Sequence, residues 1–182
     1  MRLSVTTFLI LAWVAASAPA AESTSGRTAS FASIKAAAAG RLFDLGLALG
    51  QQGRLDEAIA RTLQAIRLAP AHSTAHYNLA VFLSQKGDID GAVQSLKTCI
   101  ELDPKNANAR YNMGFFMQTK GRTAEAMAQY REAIRLNPEQ ALAHHYLGVL
   151  LNRQGKRAEA APHCRKAASL NPGLNVPHCP QS

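Results

Sequence analysis

A 34-residue period runs through most of the chain and restricts its possible folds more than any other feature. Four columns recur at this step without an insertion: Gly53, Gly87, Gly121 and Gly155; Ala58, Ala92, Ala126 and Ala160; Leu68, Leu102, Leu136 and Leu170; and Pro70, Pro104, Pro138 and Pro172. Repeats of this length each form one supersecondary unit and gain stability by stacking on their neighbours. The period divides the chain into four units, which are residues 39–72, 73–106, 107–140 and 141–174.

Each unit is predicted to contain two helices joined by a glycine turn. In the third unit, Met113 and Met117 follow helical spacing up to Gly121, where glycine can take the left-handed conformation that ends a helix. The second helix is predicted from about Ala124 to Leu136. Pro138 marks its end, because proline disfavours helical geometry in the residue before it.

Small residues in both helices of a unit predict close helix packing. In the first helices they are Gly46, Ala80, Gly114 and Gly148; in the second helices they are the Ala58 column and Ala65, Cys99, Ala133 and Ala167. A column of larger apolar residues is expected to fill the space around them: Leu45, Leu79, Met113 and Leu147. One helix pair alone would leave an apolar face in water, so the units are expected to stack.

The segments YNLAVFLSQKGDIDGAVQSLKTCIELDP and YNMGFFMQTKGRTAEAMAQYREAIRLNP resemble tetratricopeptide repeats. The resemblance covers residues 39–174 and implies an all-α, right-handed α-solenoid of four 34-residue helix-turn-helix repeats. The chain departs from the family pattern in two places. The aromatic residue often found early in the first helix is replaced by Leu42, His76, Arg110 and His144. From Gly173 onward, two prolines stand where such arrays usually carry a capping helix.

The resemblance also implies that the first helices line a concave groove for a peptide or a helix of a partner protein. Helical periodicity assigns these residues to the groove: Phe43, Asp44, Leu47, Tyr77, Asn78, Val81, Tyr111, Asn112, Phe115, His145, Tyr146 and Arg153. Asn78 and Asn112 share one column and resemble two rungs of the asparagine ladder that holds an extended backbone in some arrays. An amide both donates and accepts hydrogen bonds. The alternative is that both are merely polar residues on an exposed face.

The first twenty residues have the three-part shape of a secretory signal peptide, with Arg2, an apolar stretch and small residues before a cut after Ala20. We therefore expect a periplasmic or secreted protein, and a leader retained as a membrane anchor is the alternative. Residues 21–38 are predicted to be a flexible lead-in with a short helix from about Ser30. No other apolar run reaches the ~20 residues of a membrane span, so the mature chain is predicted to have none.

Positive charge is concentrated in the last unit, where five Lys and Arg residues stand against Glu159 alone. A basic end favours an acidic partner, although a solvated cationic surface explains the same composition. Nucleic acid is not expected as a partner, because no motif that reads nucleic acid is present.

The three cysteines are predicted to have structural roles. Cys99 takes a place that is Ala in the other units, which predicts a small buried residue. In an oxidising compartment, Cys164 and Cys179 are predicted to form a disulfide that folds the tail, residues 175–182, over the last helix. A metal held by His163–Cys164 and His178–Cys179 is the weaker alternative, since adjacent helical residues point about 100° apart. No cofactor is expected.

Catalytic motifs such as G-x-S-x-G, H-E-x-x-H and the phosphate-binding loop are missing from the sequence, and no enzyme activity is expected. The function predicted is a scaffold that binds a protein or peptide in the groove. The alternatives are self-association through an uncapped apolar face of the last repeat, which would give a homo-oligomer, and metal or redox chemistry in the tail.

Overall fold

The computed structural model describes residues 24–174, with side chains from residue 30 onward. The predicted signal peptide and the tail lie outside the described residues, so cleavage of the leader, its retention as an anchor and the pairing of Cys179 stay predictions. The described part is all-α and has no strand. Its eight helices are α1 (Thr24–Gln51), α2 (Leu55–Leu68), α3 (Ser73–Gln85), α4 (Ile89–Leu102), α5 (Ala107–Thr119), α6 (Thr123–Leu136), α7 (Ala141–Arg153) and α8 (Arg157–Leu170).

Glycine makes the turn between the two helices of every unit, as predicted. The φ angles at these positions are all positive, with values of 74°, 86°, 73° and 78° at Gly53, Gly87, Gly121 and Gly155. Side chains with a Cβ rarely adopt this left-handed region. The second helix of the third unit, α6, starts one residue before its predicted start at Ala124 and ends at Leu136 as predicted.

The two helices of each unit approach closely where the small residues face each other. A Cβ added at Gly114 would lie 2.8 Å from the ring of Tyr130 and 3.2 Å from the backbone oxygen of Ala126. At Gly148 it would lie 2.8 Å from Sγ of Cys164. These distances are shorter than van der Waals contact, so glycine is required for this helix spacing and the predicted close packing is confirmed.

Successive units stack through the second helix of one and the first helix of the next, because α2 contacts α3, α4 contacts α5 and α6 contacts α7. Alanines at equivalent positions of the second, third and fourth units lie at these junctions. They are Ala75, Ala109 and Ala143, and all three are fully buried. One hydrophobic core therefore runs from Ala80 in the second unit to Ala160 in the fourth. The equivalent residue of the first unit is Arg41, and no described helix precedes α1 there.

Ion pairs also join neighbouring units. Lys86 pairs with Asp56 across the first junction, and Lys120 pairs with Asp90 across the second. Both aspartates are largely exposed, so these pairs contribute little to the free energy of unfolding.

Two expectations for the N-terminal part of the chain are wrong. The lead-in is not flexible up to about Ser30, because α1 begins at Thr24 and continues without a break into the first repeat. Leu45 does not fill a core, since it is 45% exposed, whereas Leu79, Met113 and Leu147 in the same register are buried. Leu45 lacks the preceding unit against which those three residues pack.

Within residues 24–174, none of the helices is both long and apolar enough to cross a membrane.

Candidate functional site

Three successive first helices form a recess with a volume of about 340 Å³. It is lined by Val81 and Ser84 from α3, Tyr111, Asn112, Phe115 and Phe116 from α5, and Tyr146 from α7. Five of these seven residues belong to the set that the sequence assigns to the groove. The recess is centred on the third unit, because its first helix has neighbours of the same kind on both sides.

Aromatic rings give the recess its apolar surface, and Tyr146 is the residue that joins them. Its ring centroid lies 6.1 Å from that of Tyr111, 5.9 Å from that of Phe115 and 5.1 Å from that of His145. Underneath, the ring of Tyr130 stacks on Tyr146 with centroids 5.8 Å apart and planes at 15°. Such contacts fix the rings in place, so the surface is formed before any ligand arrives.

Burial affects the phenols of this cluster. It raises the pKa of Tyr111 to about 12, with a further contribution from the neighbouring Tyr146 hydroxyl. Burial raises the pKa of Tyr77 as well, against an opposing hydrogen bond with Asn112. Both phenols therefore stay neutral and can donate a hydrogen bond at any physiological pH.

The two asparagines of the predicted ladder have different surroundings. Nδ2 of Asn112 donates to the hydroxyl of Tyr77 at 3.3 Å, which links α5 to α3. Nδ2 of Asn78 donates to the backbone oxygen of Thr74 in its own helix at 2.9 Å. Each amide thus uses one donor within the protein.

Seven members of the predicted set do not line the recess. Tyr77 and His145 contact its lining residues Asn112 and Tyr146, and Asn78 lies on α3. The other four lie farther away. The ring of Phe43 packs on His72 with centroids 4.8 Å apart, and Leu47 packs against the small core formed by Leu49, Ala58 and Phe82. Asp44 and Arg153 are exposed, on α1 and at the last residue of α7 respectively. They extend the helix faces on either side of the recess.

Ser84, Phe116 and Tyr130 were not predicted from the sequence. Phe116 is 6% exposed and Tyr130 is fully buried, with its hydroxyl donating to Oε1 of Gln118 at 3.0 Å. Tyr130 lies on a second helix, and the other units have Thr62, Leu96 and Cys164 in its register. That departure from an otherwise small or aliphatic column is the signal that could have identified it.

The cysteines differ in state. Cys99 is fully buried and free, as predicted, and burial raises the pKa of its thiol to about 11. Cys164 is buried and disulfide-bonded. Because Cys179 lies outside the described residues, its pairing with Cys164 stays a prediction.

His163 contacts another histidine. Its Nδ1 lies 2.9 Å from Nδ1 of His144, whose Nε2 lies 3.1 Å from the backbone oxygen of Pro138. His144 therefore carries its proton on Nε2, and His163 donates from Nδ1. Sγ of Cys164 lies against Gly148, so His163 and Cys164 face different neighbours. Within residues 24–174 no cluster of metal-ligating side chains is present, and His178 and Cys179 of the metal alternative lie outside that range.

The histidine pair makes stability depend on pH. Burial lowers the pKa of both imidazoles, and Lys166 near His144 and Arg131 near His163 act in the same direction, whereas Glu159 opposes them at His163. The unfolded chain, with a histidine pKa of about 6.5, binds these protons first on acidification. We expect the free energy of unfolding to be largest above pH 7 and to fall as the pH drops below about 6.5, where the unfolded chain takes up protons that the folded chain does not.

Urea denaturation of the wild-type chain and of His163→Gln at pH 7.5 and 5.0 measures this effect. Gln129 holds the same register in the third unit, so the substitution suits the fold. Asp90 and Glu132, whose pKa values are lowered by Lys120 and Arg135, titrate below this window. An unchanged difference between the two pH values in the variant would contradict the assignment.

The last helix has smaller apolar side chains on its outer face than the other second helices have. Two apolar columns of the second helices contain Ile59, Val93 and Met127, and Ile66, Ile100 and Ile134. At the equivalent positions, α8 has Ala161 and Ala168. None of the large exposed hydrophobic residues of the described part lies on α8, whereas Phe31, Ile34 and Leu45 on α1 are exposed. Self-association through this end therefore stays a prediction.

Comparison with known proteins gives the same fold. The profile of the family described as Tetratricopeptide repeat matches residues 43–113, and the one described as TPR repeat matches residues 119–155. No curated protein matches the chain.

Solved structures resemble most of the chain. A crystal structure of MamA has a TM-score of 0.68 at 23% identity, and the match covers 74% of this chain and 78% of that one. MamA from Desulfovibrio magneticus RS-1 has a TM-score of 0.65 at 23% identity, with 75% and 77% covered. Pseudomonas aeruginosa PilF has a TM-score of 0.67 at 26% identity, with 77% and 64% covered. The chain belongs to the tetratricopeptide repeat family and is an all-α scaffold for protein–protein interaction.

Proposed function

We propose that the chain binds an extended or helical segment of a partner protein along the face formed by α3, α5 and α7. The observation that carries this proposal is the recess at Tyr111, Asn112, Phe115 and Tyr146, where aromatic side chains are partly exposed and held by one another. Partly exposed, rigid aromatic residues bind partners at low cost in side-chain entropy.

The ligand chemistry follows from the polar atoms around the recess. The Oδ1 atoms of Asn78 and Asn112 accept hydrogen bonds from backbone N–H groups, and the rings take apolar side chains. The last unit adds five basic residues against Glu159, which supports a partner segment with acidic residues beside its apolar anchors. Catalysis has no part in this proposal, and the family is generally non-catalytic.

Peptide selection tests the proposed site. A phage-displayed library of random 12-residue peptides is selected on the immobilised full chain, and the peptides obtained are measured by fluorescence anisotropy. We expect Phe115→Ser to weaken them about tenfold or more, because it removes an aromatic contact at the centre of the recess. Leu63→Ser is the matched control, since Leu63 is 39% exposed on α2 and outside the recess. Equal affinities for Phe115→Ser and wild type would contradict the proposal.

The asparagines are tested separately. Replacing Asn78 and Asn112 together by Ala is expected to weaken the same peptides and to leave the helical circular dichroism unchanged, because both side chains lie on helix surfaces. If the affinity is unaltered, the asparagines are polar residues on an exposed face and do not hold a ligand backbone.

We also propose that the protein is exported, on the basis of the signal-like first twenty residues. The mass of the protein recovered from its native host tests this. Loss of residues 1–20 is the expected result, whereas an intact N-terminus in the membrane fraction would indicate a retained anchor.

A further inference from the structure

A second cavity lies between α4, α5 and α6, and its lining shares no residue with the recess. Its volume is about 270 Å³. Ile100 of α4 and Met113 and Met117 of α5 form the apolar part of its lining, and Lys97, Glu101 and Arg110 are among its charged side chains. The proposed function does not use this cavity.

Three of its lining residues depart from the pattern of the chain's own repeats. The register of Met113 holds Leu45, Leu79 and Leu147 in the other units, and that of Met117 holds Leu49, Leu83 and Leu151. The register of Arg110 holds Leu42, His76 and His144. The three residues occur at i, i+3 and i+7, on one face of α5. The third unit therefore differs from its neighbours at three places that meet in one cavity, two of them by the adaptable side chain of methionine.

Arg110 lacks the hydrogen bond that histidine forms at the equivalent position of the second and fourth units. Nε2 of His76 lies 3.0 Å from the backbone oxygen of Pro70, and Nε2 of His144 lies 3.1 Å from that of Pro138. Arg110 instead donates from Nη1 to Oε1 of Gln129 at 3.4 Å, which is long for a hydrogen bond. Its Nε is buried, and no acceptor for it is present among residues 30–174.

The remaining charges of the cavity leave Arg110 available to an anion. Arg122 and Glu125 occupy each other through two hydrogen bonds of 2.6 Å. Among the lining residues, Lys97 and Arg110 then face one further carboxylate, that of Glu101. Glu132 lies outside the lining and also interacts with Arg110, but it is paired with Arg135. A guanidinium that donates one long hydrogen bond to a neutral amide can form two shorter ones to a carboxylate, which is the acceptor its geometry suits best.

We propose that this cavity binds a small amphipathic carboxylate. The carboxylate pairs with the Arg110 guanidinium in place of the Gln129 amide, and the apolar part of the ligand packs on Ile100, Met113 and Met117. The size of the cavity limits the ligand to a short aliphatic or aromatic acid. This site is independent of peptide binding in the recess.

The test is a titration of the ¹⁵N-labelled full chain with hexanoate and, in parallel, with the uncharged hexanamide. We expect hexanoate to shift amide signals of α4, α5 and α6 saturably, and hexanamide to bind about tenfold more weakly or worse because it lacks the charge. Equal binding of the two compounds, shifts confined to the Tyr111–Tyr146 recess, or no saturable shift would overturn the proposal.

Arg110→His is the matched variant, because His holds the same register in two other units and the fold accommodates it there. It is expected to melt as the wild type does and to bind hexanoate about tenfold more weakly. Arg67→His, an exposed position on α2, is expected to bind as the wild type does. Unchanged hexanoate affinity in a folded Arg110→His protein would overturn the proposal.

Discussion

Replacing Ala109 by Arg is expected to lower the free energy of unfolding by about 4 kcal/mol or more. Ala109 is fully buried at the junction where α5 meets α4, and it belongs to the core that runs through the second to fourth units. An arginine there has neither room nor a described partner for its charge. Urea denaturation followed by circular dichroism measures the loss.

The first unit supplies the control for this experiment. Arg41 stands in the register of Ala109 and is exposed, because no described unit precedes it. Arg41→Ala is therefore expected to change the free energy of unfolding by less than about 0.5 kcal/mol. If Ala109→Arg is tolerated as well as Arg41→Ala, the units do not stack as described.

Truncating Tyr130 to Ala is expected to cost about 3–5 kcal/mol, because it removes a fully buried ring from the centre of the third unit. The ring packs against the backbone at Gly114 and stacks on Tyr146. The variant thus removes the support of the recess along with core volume, and peptide affinity is expected to fall with stability.

Tyr130→Phe measures the contribution of the hydroxyl to stability apart from that of the ring. It keeps the packing and loses only the hydrogen bond to Gln118, so a cost of about 1 kcal/mol is expected, with peptide affinity retained. Thermal or urea unfolding of both variants gives the comparison. A phenylalanine variant that is as unstable as the alanine variant would show that the hydroxyl, rather than the ring, carries the stability.

The strict period made the repeats predictable. Gly121 could be placed at a turn because its column recurs every 34 residues, and a left-handed glycine is a local requirement of the backbone. Gly114 could be placed at a close approach for the same reason, since it shares a register with Ala80 and Gly148. Groove residues followed from helical spacing, and five of them do meet in one recess.

The burial and helix bounds at the N-terminal end of the array could not be predicted from the same columns. Leu45 matches its register and is nevertheless exposed, because burial depends on a neighbour that the first unit lacks. The small and polar residues before it resemble a linker, yet they continue α1, since extending an existing helix avoids the cost of nucleation and Ala favours the helical state.

Contacts between different helices could not be predicted from the sequence either. The hydrogen bond from Asn112 to Tyr77 depends on how far α5 lies from α3, and helical spacing within one unit does not fix that distance. Within the fourth unit, His144 and His163 are nineteen residues apart and are brought to 2.9 Å by the packing of α7 on α8.

A crystal structure of the full chain with the strongest selected peptide tests the central claim most directly. The structure of the complex is expected to place the peptide across α3, α5 and α7, with an apolar side chain between Phe115 and Tyr146 and backbone N–H groups on Oδ1 of Asn78 or Asn112. A peptide bound to the second helices or to α1, with the recess empty, would contradict the account.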